Sequence, residues 1–386
     1  MKELSLKDFF AQYPHISQAT EADNQDILDF YHQTSLSSTE SEIIYTRGND
    51  FFAFLKERSD SSIIILLRDD QGVIYGMGVI TYRPGYINGE LQTVGYLGDL
   101  RIKMNRKLIR EWRLMYANLI KLSPRIKEMH HCRFYQTVLI DENKESKNNL
   151  AETKIANLYY HQLQKYKMVN VIGRVKLRTS STYARMATKE DKQLIVNFLS
   201  LNNPKDLFSH DWEKELDHRL KKWNDFSMEN LLLSFNKSGE LQALAMVWNP
   251  IKTKQIRITK IPEALKLIHA MGSKIPFFEF KKFPKENTPL DILYLSQVVY
   301  DKNLAKSDRQ KILHDFIHLA FKKDFHMLAY ADFENEDYLE KTLSLFMQKM
   351  PMAVFSVHNK DDHGLIQDPL HWDSTRPTVS FDMCLV

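Results

Sequence analysis

The chain contains two segments that repeat one pattern 168 residues apart. "ATEADNQDILDF" begins at Ala19 and "ATKEDKQLIVNF" begins at Ala187, with Ala, Thr, Asp, Gln, Ile and Phe at the same places. In each segment a threonine, Thr20 or Thr188, can cap a helix together with an aspartate three residues later. Helix capping explains the threonine and the aspartate, but not the other identities. The sequence therefore predicts a chain built from two copies of one unit.

The repeat continues beyond this first helix. "SIIILLRDDQGVIYGMGVITYRP" and "NLLLSFNKSGELQALAMVWNP" each have the pattern of a strand, a turn with glycine, a strand and a proline. A third pair is "YLGDLRI" from Tyr96 and "YLSQVVY" from Tyr294, where the offset has grown to 198. This growth predicts about thirty inserted residues in the second copy, around 251–288. We expect two domains, 1–179 and 180–386, joined near residues 178–183.

Composition narrows the class of protein. No apolar run reaches the roughly 18 residues of a membrane helix, so no membrane partner is expected. The N-terminus lacks the basic and then apolar pattern of a secretory signal. The two cysteines, Cys132 and Cys384, argue against a disulfide framework and favour a cytoplasmic protein. A net charge of +4 on 386 residues is mild and does not call for a nucleic-acid partner.

Hydrophobic periodicity predicts the order of elements in the first copy. A strand is followed by two helices, three strands and a long helix over about 106–122. A strand at 134–140, a helix at about 151–165 and a last strand at 168–177 complete the copy. The predicted fold class is α/β (α+β), with two tandem domains. Each domain would have a mixed, mostly antiparallel sheet flanked by helices.

This order resembles the GNAT (GCN5-related N-acetyltransferase) fold, and the resemblance rests on particular residues. "YLGDLRI" followed by a basic helix is similar to the fourth strand and third helix of that family. "RMATKED", from Arg185 to Asp191, matches the frequent opening Arg-x-Ala-Thr-x-x-Asp, whereas the first copy has Ser17 in place of the arginine. The likeness covers nearly the whole chain. It implies acetyl-CoA as co-substrate and a small-molecule or peptide amine as acceptor, and it is compatible with a homodimer.

The resemblance also implies where the cofactor binds. In the family the fourth strand splays from the fifth, and the gap takes the pantetheine arm of acetyl-CoA. The pyrophosphate then meets the N-terminus of the next helix, where free amides and the helix dipole favour an anion. The closest register to the family's loop, Gln/Arg-x-x-Gly-x-Gly/Ala, is "RKLIRE" at 106–111, which has neither glycine. The implied cofactor-binding residues are Leu100, Arg101, Ile102, Arg106, Lys107, Leu108, Ile109 and Arg110.

Positive charge partly offsets the missing glycines, with Lys103 and Arg113 adding to the arginines and lysines of that stretch. A solvated basic helix is the alternative for this corner. In the second copy a helix cap at Ser307-Asp308 would put a carboxylate where the anion binds. We therefore expect a working site in the first copy only and a degenerate second domain.

Acyl transfer to an amine needs an unprotonated amine and a proton for the departing thiolate. A tyrosine on the family's fourth helix implies Tyr159 as the acid, with Tyr160 as second choice. Asp99 near the strand centre and Glu142 just past the fifth strand are candidate bases. The alternatives are an aromatic packing face for the tyrosines, a salt bridge for Asp99 and a solvated charge for Glu142.

Three functions remain open at this point. The first is an acyl-CoA-dependent N-acyltransferase that moves an acetyl group from acetyl-CoA to a primary amine. The second is a catalytically silent scaffold or binding protein, which the missing glycines favour. The third is a Fem-like transferase that uses an aminoacyl-tRNA, which the basic corner allows. No metal is expected, because the adjacent side chains of His130, His131 and Cys132 do not converge as a metal site requires.

Overall fold

The computed structural model describes residues 3–34, 36–37, 42–140, 158–176, 183–203, 207–334, 336–339, 344–359 and 379–385. The helices are α1 (Leu6–Phe10), α2 (Asn24–Gln33), α3 (Phe51–Arg58), α4 (Arg106–Leu122), α5 (Lys192–Asn202), α6 (Trp212–Lys222), α7 (Glu263–Gly272) and α8 (Lys306–Ala320). The strands of the first half are β1 (Ile16–Gln18), β2 (Leu36–Ser37), β3 (Glu42–Thr46), β4 (Ser61–Arg68), β5 (Ile74–Ile87), β6 (Glu90–Ile102), β7 (Phe134–Ile140) and β8 (Leu158–Val175). Those of the second half are β9 (Tyr183–Met186), β10 (Leu231–Phe235), β11 (Leu241–Trp248), β12 (Gln255–Ile258), β13 (Phe278–Phe280), β14 (Ile292–Tyr300), β15 (Met327–Phe333) and β16 (Leu345–Asn359).

One sheet runs through both halves. Its order is β1-β4-β5-β6-β7-β16-β8-β15-β14-β11-β10-β9, with β13 paired to β8 beside this path. The pairs β6–β7 and β14–β15 are parallel, and the other pairs of the path are antiparallel. The predicted fold class is therefore confirmed: a mixed, mostly antiparallel sheet with helices on its faces, and the same order of elements in each half.

The centre of the sheet is made by exchanged strands. β16 from the end of the chain pairs with β7 of the first half, and β8 from the first half pairs with β15 of the second. The two exchanged strands also pair with each other, from Leu345 opposite Arg174 to Asn359 opposite Leu158. Each half thus completes its sheet with the other half's last strand. The predicted boundary between residues 179 and 180 lies outside the described residues and stays a prediction.

One predicted element is wrong over its described part. The sequence predicts a helix over about 151–165, but residues 158–165 form the first part of β8. Residues 151–157 lie outside the described residues. Leucine, glutamine and lysine in this stretch suit a helix in isolation. The chain is extended here because β16 supplies a backbone partner along the whole strand. Strand formation of this kind depends on neighbours distant in sequence.

The repeated motif has a physical explanation in the structure. Both predicted capping boxes are present. Asp191 also pairs with Arg185, with a nitrogen–oxygen distance of 2.7 Å. In the first half Ser17 replaces that arginine, and Arg68 of the neighbouring strand β4 pairs with Asp23 at 2.8 Å instead. The aspartate keeps a guanidinium partner in each half, supplied from different strands.

Helices cover both faces of the sheet. In the first half α1 and α4 pack on one face, while α2 and α3 pack on the other. In the second half α8 packs on one face of the sheet, and α5 and α6 pack on the other. Residues 379–385 lie in the same core as α5 and α6, with Cys384 fully buried. The second half's predicted insertion includes β12, which pairs with β3 of the first half.

Separating the halves should prevent folding, because each sheet would lose a central strand. We expect residues 1–179 or 180–386, produced alone, to be unfolded or aggregated, since unpaired central strands expose backbone and apolar surface. Coexpression should yield a one-to-one complex with the far-ultraviolet circular dichroism of the intact chain. A cooperative thermal transition of the monomeric 1–179 fragment would contradict this prediction.

Candidate functional site

β6 and β7 separate soon after they meet. They pair in parallel only from Val94 to Tyr96 on the β6 side. At the fork the Thr137 hydroxyl donates a hydrogen bond to the Leu97 carbonyl, with 2.8 Å between the oxygens. Beyond it, residues 100–102 belong to β6 but have no register partner on β7. Among the described residues, this part of the strand therefore has an open backbone edge, and it is the stretch predicted to meet the pantetheine arm.

A bulge marks the opening. Asp99 has a left-handed φ of +52°, and the β5–β6 ladder slips in register around it. Such a conformation costs a non-glycine residue about 1 kcal/mol or more, so its surroundings must hold it. The Asp99 carboxylate accepts hydrogen bonds from the Tyr31 hydroxyl at 2.8 Å and from Arg47 at 2.6 Å. The equivalent residue of the second half, Gln297, has a φ of +48°.

The ion pair of Asp99 and Arg47 is buried, with side-chain exposures of 9% and 3%. Burial by itself would raise the pKa of Asp99, but the guanidinium groups of Arg47 and Arg58 outweigh it and hold that pKa well below its usual range. A carboxylate so stabilised is a weak proton acceptor. Asp99 thus has the salt-bridge partner that the sequence analysis allowed as an alternative. Its role as a base stays a prediction.

The opening leads directly to the N-terminus of α4. The Asn105 side chain caps this helix by accepting from the Leu108 amide at 3.3 Å. The amides of Arg106 and Lys107 are left without an intrahelical partner. The side chains of Arg106, Lys107 and Arg110 are exposed, and the first turn has no acidic residue. This helix end combines free amides, the positive end of the dipole and exposed positive charge.

The other residues assigned to the cofactor have structural partners. Leu108 is buried in the core beneath α4, and Ile109 is half-buried. Arg101 donates to the hydroxyl of Thr34, the residue after α2, at 2.9 Å. Lys103 donates to the side chain of Gln33, the last residue of α2, at 2.8 Å. These two charges therefore hold α2 against β6.

The predicted acid lies away from the opening. Tyr159 is on β8 and not on a helix, opposite His358 of β16. With strands about 4.8 Å apart, β8 runs about 10 Å from β7, with β16 between them. Tyr160 points to the other side, where its hydroxyl lies 3.1 Å from that of Tyr116 on α4. Glu142 lies outside the described residues. The structure thus corrects the helical placement of Tyr159, and its role stays a prediction.

The sequence analysis missed a group of buried cations behind the bulge. Arg47 follows β3, Arg58 ends α3 and Lys254 comes from the insertion in the second half. Arg58 donates to the Leu385 carbonyl, and Lys254 donates to the Cys384 carbonyl at 3.4 Å. Burial, together with both guanidinium groups, lowers the pKa of Lys254 to about 7. Three separate segments supply these charges, so no local motif could have indicated them.

The second half has a similar opening with different surroundings. β14 pairs with β15 in parallel from Ile292 to Leu295 and then diverges. At its bulge, Gln297 donates to the Asp382 carboxylate at 2.7 Å. Cys384 lies 3.9 Å from the hydroxyl of Ser296. The segment 379–385 therefore lies against the second bulge.

The helix after this second opening also differs from expectation. α8 begins at Lys306 after the N-cap residue Ala305, so the predicted cap at Ser307 is wrong by two residues. Ser307 lies inside the first turn because Ala305 already has the extended backbone of a cap residue. Asp308 is in that first turn and pairs with Lys311 at 2.9 Å. A carboxylate at this helix end opposes anion binding.

One cluster in the described part of the chain has side chains of metal-ligand type: His210, Glu215 and Asp382. Arg219 lies among them, 2.7 Å from Glu215 and 2.6 Å from Asp382. The carboxylates are therefore already paired with a guanidinium. The cluster acts as a buried ion-pair network that anchors the 379–385 segment to α6.

Comparison with solved structures shows a shared fold. The structure of Saccharomyces cerevisiae N-myristoyltransferase with bound myristoyl-CoA superposes on this chain with a TM-score of 0.53 at 12% identity. The match covers 92% of this chain and 84% of that one. A second structure of that enzyme gives 0.53 at 10% identity, over 89% of this chain and 78% of that one. The chain has a GNAT-like fold.

A fungal protein also shares the GNAT-like fold. It is a multi-domain GH3 beta-N-acetylglucosaminidase with a GCN5-related glucosamine N-acetyltransferase region. The TM-score is 0.54 at 10% identity, over 89% of this chain and 38% of that one. No protein-family model matches the sequence, and no curated protein does either. Among the described residues, none of the helices has the length and apolar character needed to cross a membrane.

Replacing Asp99 with asparagine should destabilise the protein by about 3–5 kcal/mol at pH 7, because Arg47 would stay buried without its counter-charge. Since the folded-state pKa of Asp99 lies below the unfolded value of about 3.9, its stabilising effect is complete above that pH. The difference between wild type and Asp99→Asn should therefore shrink below about pH 4, by up to about 1.4 kcal/mol per pH unit.

Urea unfolding of both proteins between pH 3 and pH 8 measures this difference. Glu90→Gln is the control, because it removes an exposed carboxylate from the same strand. A variant as stable as the wild type at pH 7 would show that the ion pair does not hold the bulge.

Proposed function

We propose that this protein is an acyl-CoA-dependent N-acyltransferase with its donor site in the first half. One observation carries the proposal: the open edge of β6 at residues 100–102 leads directly to the basic N-terminus of α4. An extended amide-containing chain can pair with a free strand edge, and a diphosphate suits a helix N-terminus. The strand edge and the helix end follow each other in the same order as the pantetheine arm and the diphosphate of a CoA thioester.

The described residues suit the phosphates of CoA in two ways. The free amides of Arg106 and Lys107 supply fixed donors, while their side chains and that of Arg110 supply charge. Ile109 and Glu111 occupy the positions where the family has glycines, and both are half-buried. The Glu111 carboxylate is paired with the His15 ring, with 2.6 Å between the nitrogen and the oxygen. The side chains of Arg106, Lys107 and Arg110 are exposed. The buried Leu108 packs beneath the helix instead.

The similar structures support a thioester donor. N-myristoyltransferase contains bound myristoyl-CoA, and the fungal region is described as a glucosamine N-acetyltransferase. Acetyl-CoA is the donor that we propose first, following the resemblance in the sequence. A fatty acyl-CoA is the second candidate, because the myristoyltransferase matches both halves and most of its own length. We propose a small-molecule or peptide amine as the acceptor.

For the chemistry, we propose that the bulge positions the thioester. Backbone amides at 100–102 would orient the pantetheine arm, and the Asp99–Arg47 pair would keep the strand in the required shape. Asp99 is then a positioning residue. The acceptor amine must lose a proton and the thiolate must gain one. Assignments of these steps to Tyr159 and Glu142 stay predictions.

Charge reversal at the helix end should weaken donor binding. We expect Arg106→Glu/Lys107→Glu to raise the Kd for acetyl-CoA at least tenfold, because each change removes a charge-assisted contact worth about 1.5–3 kcal/mol. The matched control is Arg113→Glu, an exposed arginine on the same helix beyond its first turn, which should bind as wild type does. Isothermal titration calorimetry at low salt measures both. If the control variant binds acetyl-CoA as weakly as the double variant, binding depends on the overall charge of the protein and not on a site at this helix end.

The donor class can be separated from the alternatives by thermal shift. A ligand at 100 times its Kd should stabilise the folded protein by about 2.7 kcal/mol. We expect acetyl-CoA to raise the Tm, and a larger shift with myristoyl-CoA would favour the fatty acyl donor. No shift with either at millimolar concentration would favour the scaffold. Steeply salt-dependent retention of tRNA, without a CoA effect, would favour the aminoacyl-tRNA-dependent transferase.

A further inference from the structure

An exposed apolar surface lies on the segment inserted in the second half. Five of the thirteen exposed large apolar side chains in the described part of the chain lie within eleven residues. They are Leu267 at 61%, Ile268 at 50%, Met271 at 62%, Ile275 at 40% and Phe277 at 72% exposure. We call these five residues the α7 surface. Single exposed apolar residues are ordinary, but a contiguous group indicates an interaction site.

Contacts on the opposite side of α7 hold the helix so that the α7 surface faces outward. His269 packs against Phe280 and Phe283, with ring centroids 5.4 and 4.7 Å apart. Gly272 lies so close to the Phe280 ring that a side chain there would overlap it. The helix is therefore held by its His269 side. Leu267, Ile268 and Met271 project away from the protein as one stripe of a 3.6-residue period.

The same segment carries an unusual charge. Residues 251–288 contain nine lysines and arginines against three glutamates, a net charge of +6, whereas the whole chain has only +4. Four of these lysines are exposed around α7 and after it: Lys260, Lys274, Lys282 and Lys285. Apolar side chains beside a lysine-rich border are typical of helices that lie in a lipid–water interface.

We propose that the α7 surface docks on an anionic lipid bilayer. The apolar side chains would enter the boundary between headgroups and acyl chains, and the bordering lysines would meet lipid phosphates. A protein partner fits less well, because lysine is depleted at protein interfaces. The first half's equivalent connection lacks this segment, so docking would be a property of the second half alone.

This proposal differs from the expectation, based on the lack of long apolar runs, that the chain has no membrane partner. An interfacial helix needs no membrane-spanning length. The proposal does not depend on the acyltransferase function, because the surface lies outside the donor site on α4 and β6. It places the protein at a lipid surface whether or not the chain transfers acyl groups.

The test is vesicle flotation with the full chain. Vesicles are phosphatidylcholine alone or phosphatidylcholine with phosphatidylserine, at low and high salt. We expect wild type to float with the anionic vesicles and to be released by salt. Met271→Ser/Phe277→Ser should abolish flotation. The control Leu201→Ser/Leu194→Ser removes comparably exposed side chains from α5 and should float as wild type does.

Charge reversal tests the electrostatic part separately. Each of Lys274→Glu and Lys282→Glu changes the local charge by two units, and should lower the vesicle partition coefficient about 25-fold at low salt. Lys237→Glu, an exposed lysine in the turn between β10 and β11, is the control and should have a much smaller effect. Unchanged circular dichroism and Tm would show that these surface variants fold.

Three results would overturn the proposal. If the wild type floats with neither kind of vesicle, the α7 surface does not dock on lipid bilayers. Equal flotation of the α7 and α5 variants would place binding elsewhere. If size-exclusion chromatography shows a dimer that Met271→Ser/Phe277→Ser converts to monomer, without vesicle binding by wild type, the α7 surface is an interface between copies of the chain.

Discussion

The pairing of β8 with β16 is the constraint on which the rest of this structure depends. These strands come from the two halves, and each also completes the sheet of the half to which it does not belong in sequence. Because ladder hydrogen bonds tolerate little displacement, this pair sets the distance between β7 and β15. It also brings the faces that carry α3 and α6 into one continuous core, where the 379–385 segment lies.

The candidate site is built on a local distortion of this sheet. A left-handed residue at Asp99 turns β6 away from β7, and a buried ion pair with Arg47 keeps it there. The equivalent distortion at Gln297 is neutral and contacts Asp382 instead. One backbone feature thus serves two different chemical surroundings. A free strand edge and a basic helix end follow the first bulge, whereas a packed chain segment covers the second.

Much of the fold followed from local patterns. The capping boxes, α4 from Arg106 to Leu122 and β7 from Phe134 to Ile140 agree with the sequence analysis, because caps and apolar periodicity act over a few residues. β8 was mistaken for a helix at its start. Its extended form depends on β16, almost two hundred residues later, and no local preference encodes that partner.

The site divides in the same way. The strand followed by a basic helix could be read from one continuous stretch, and residues 100–102, Arg106, Lys107 and Arg110 could be proposed from it. The partners of Asp99 could not be read from the sequence, because Tyr31 and Arg47 meet Asp99 only in the folded structure. By itself the sequence determined the repeat, the local elements and the charged helix end, since these depend on neighbours in the chain. Only the tertiary structure decided the strand exchange, the placement of Tyr159 far from the opening and the buried cations, since these depend on which distant segments meet.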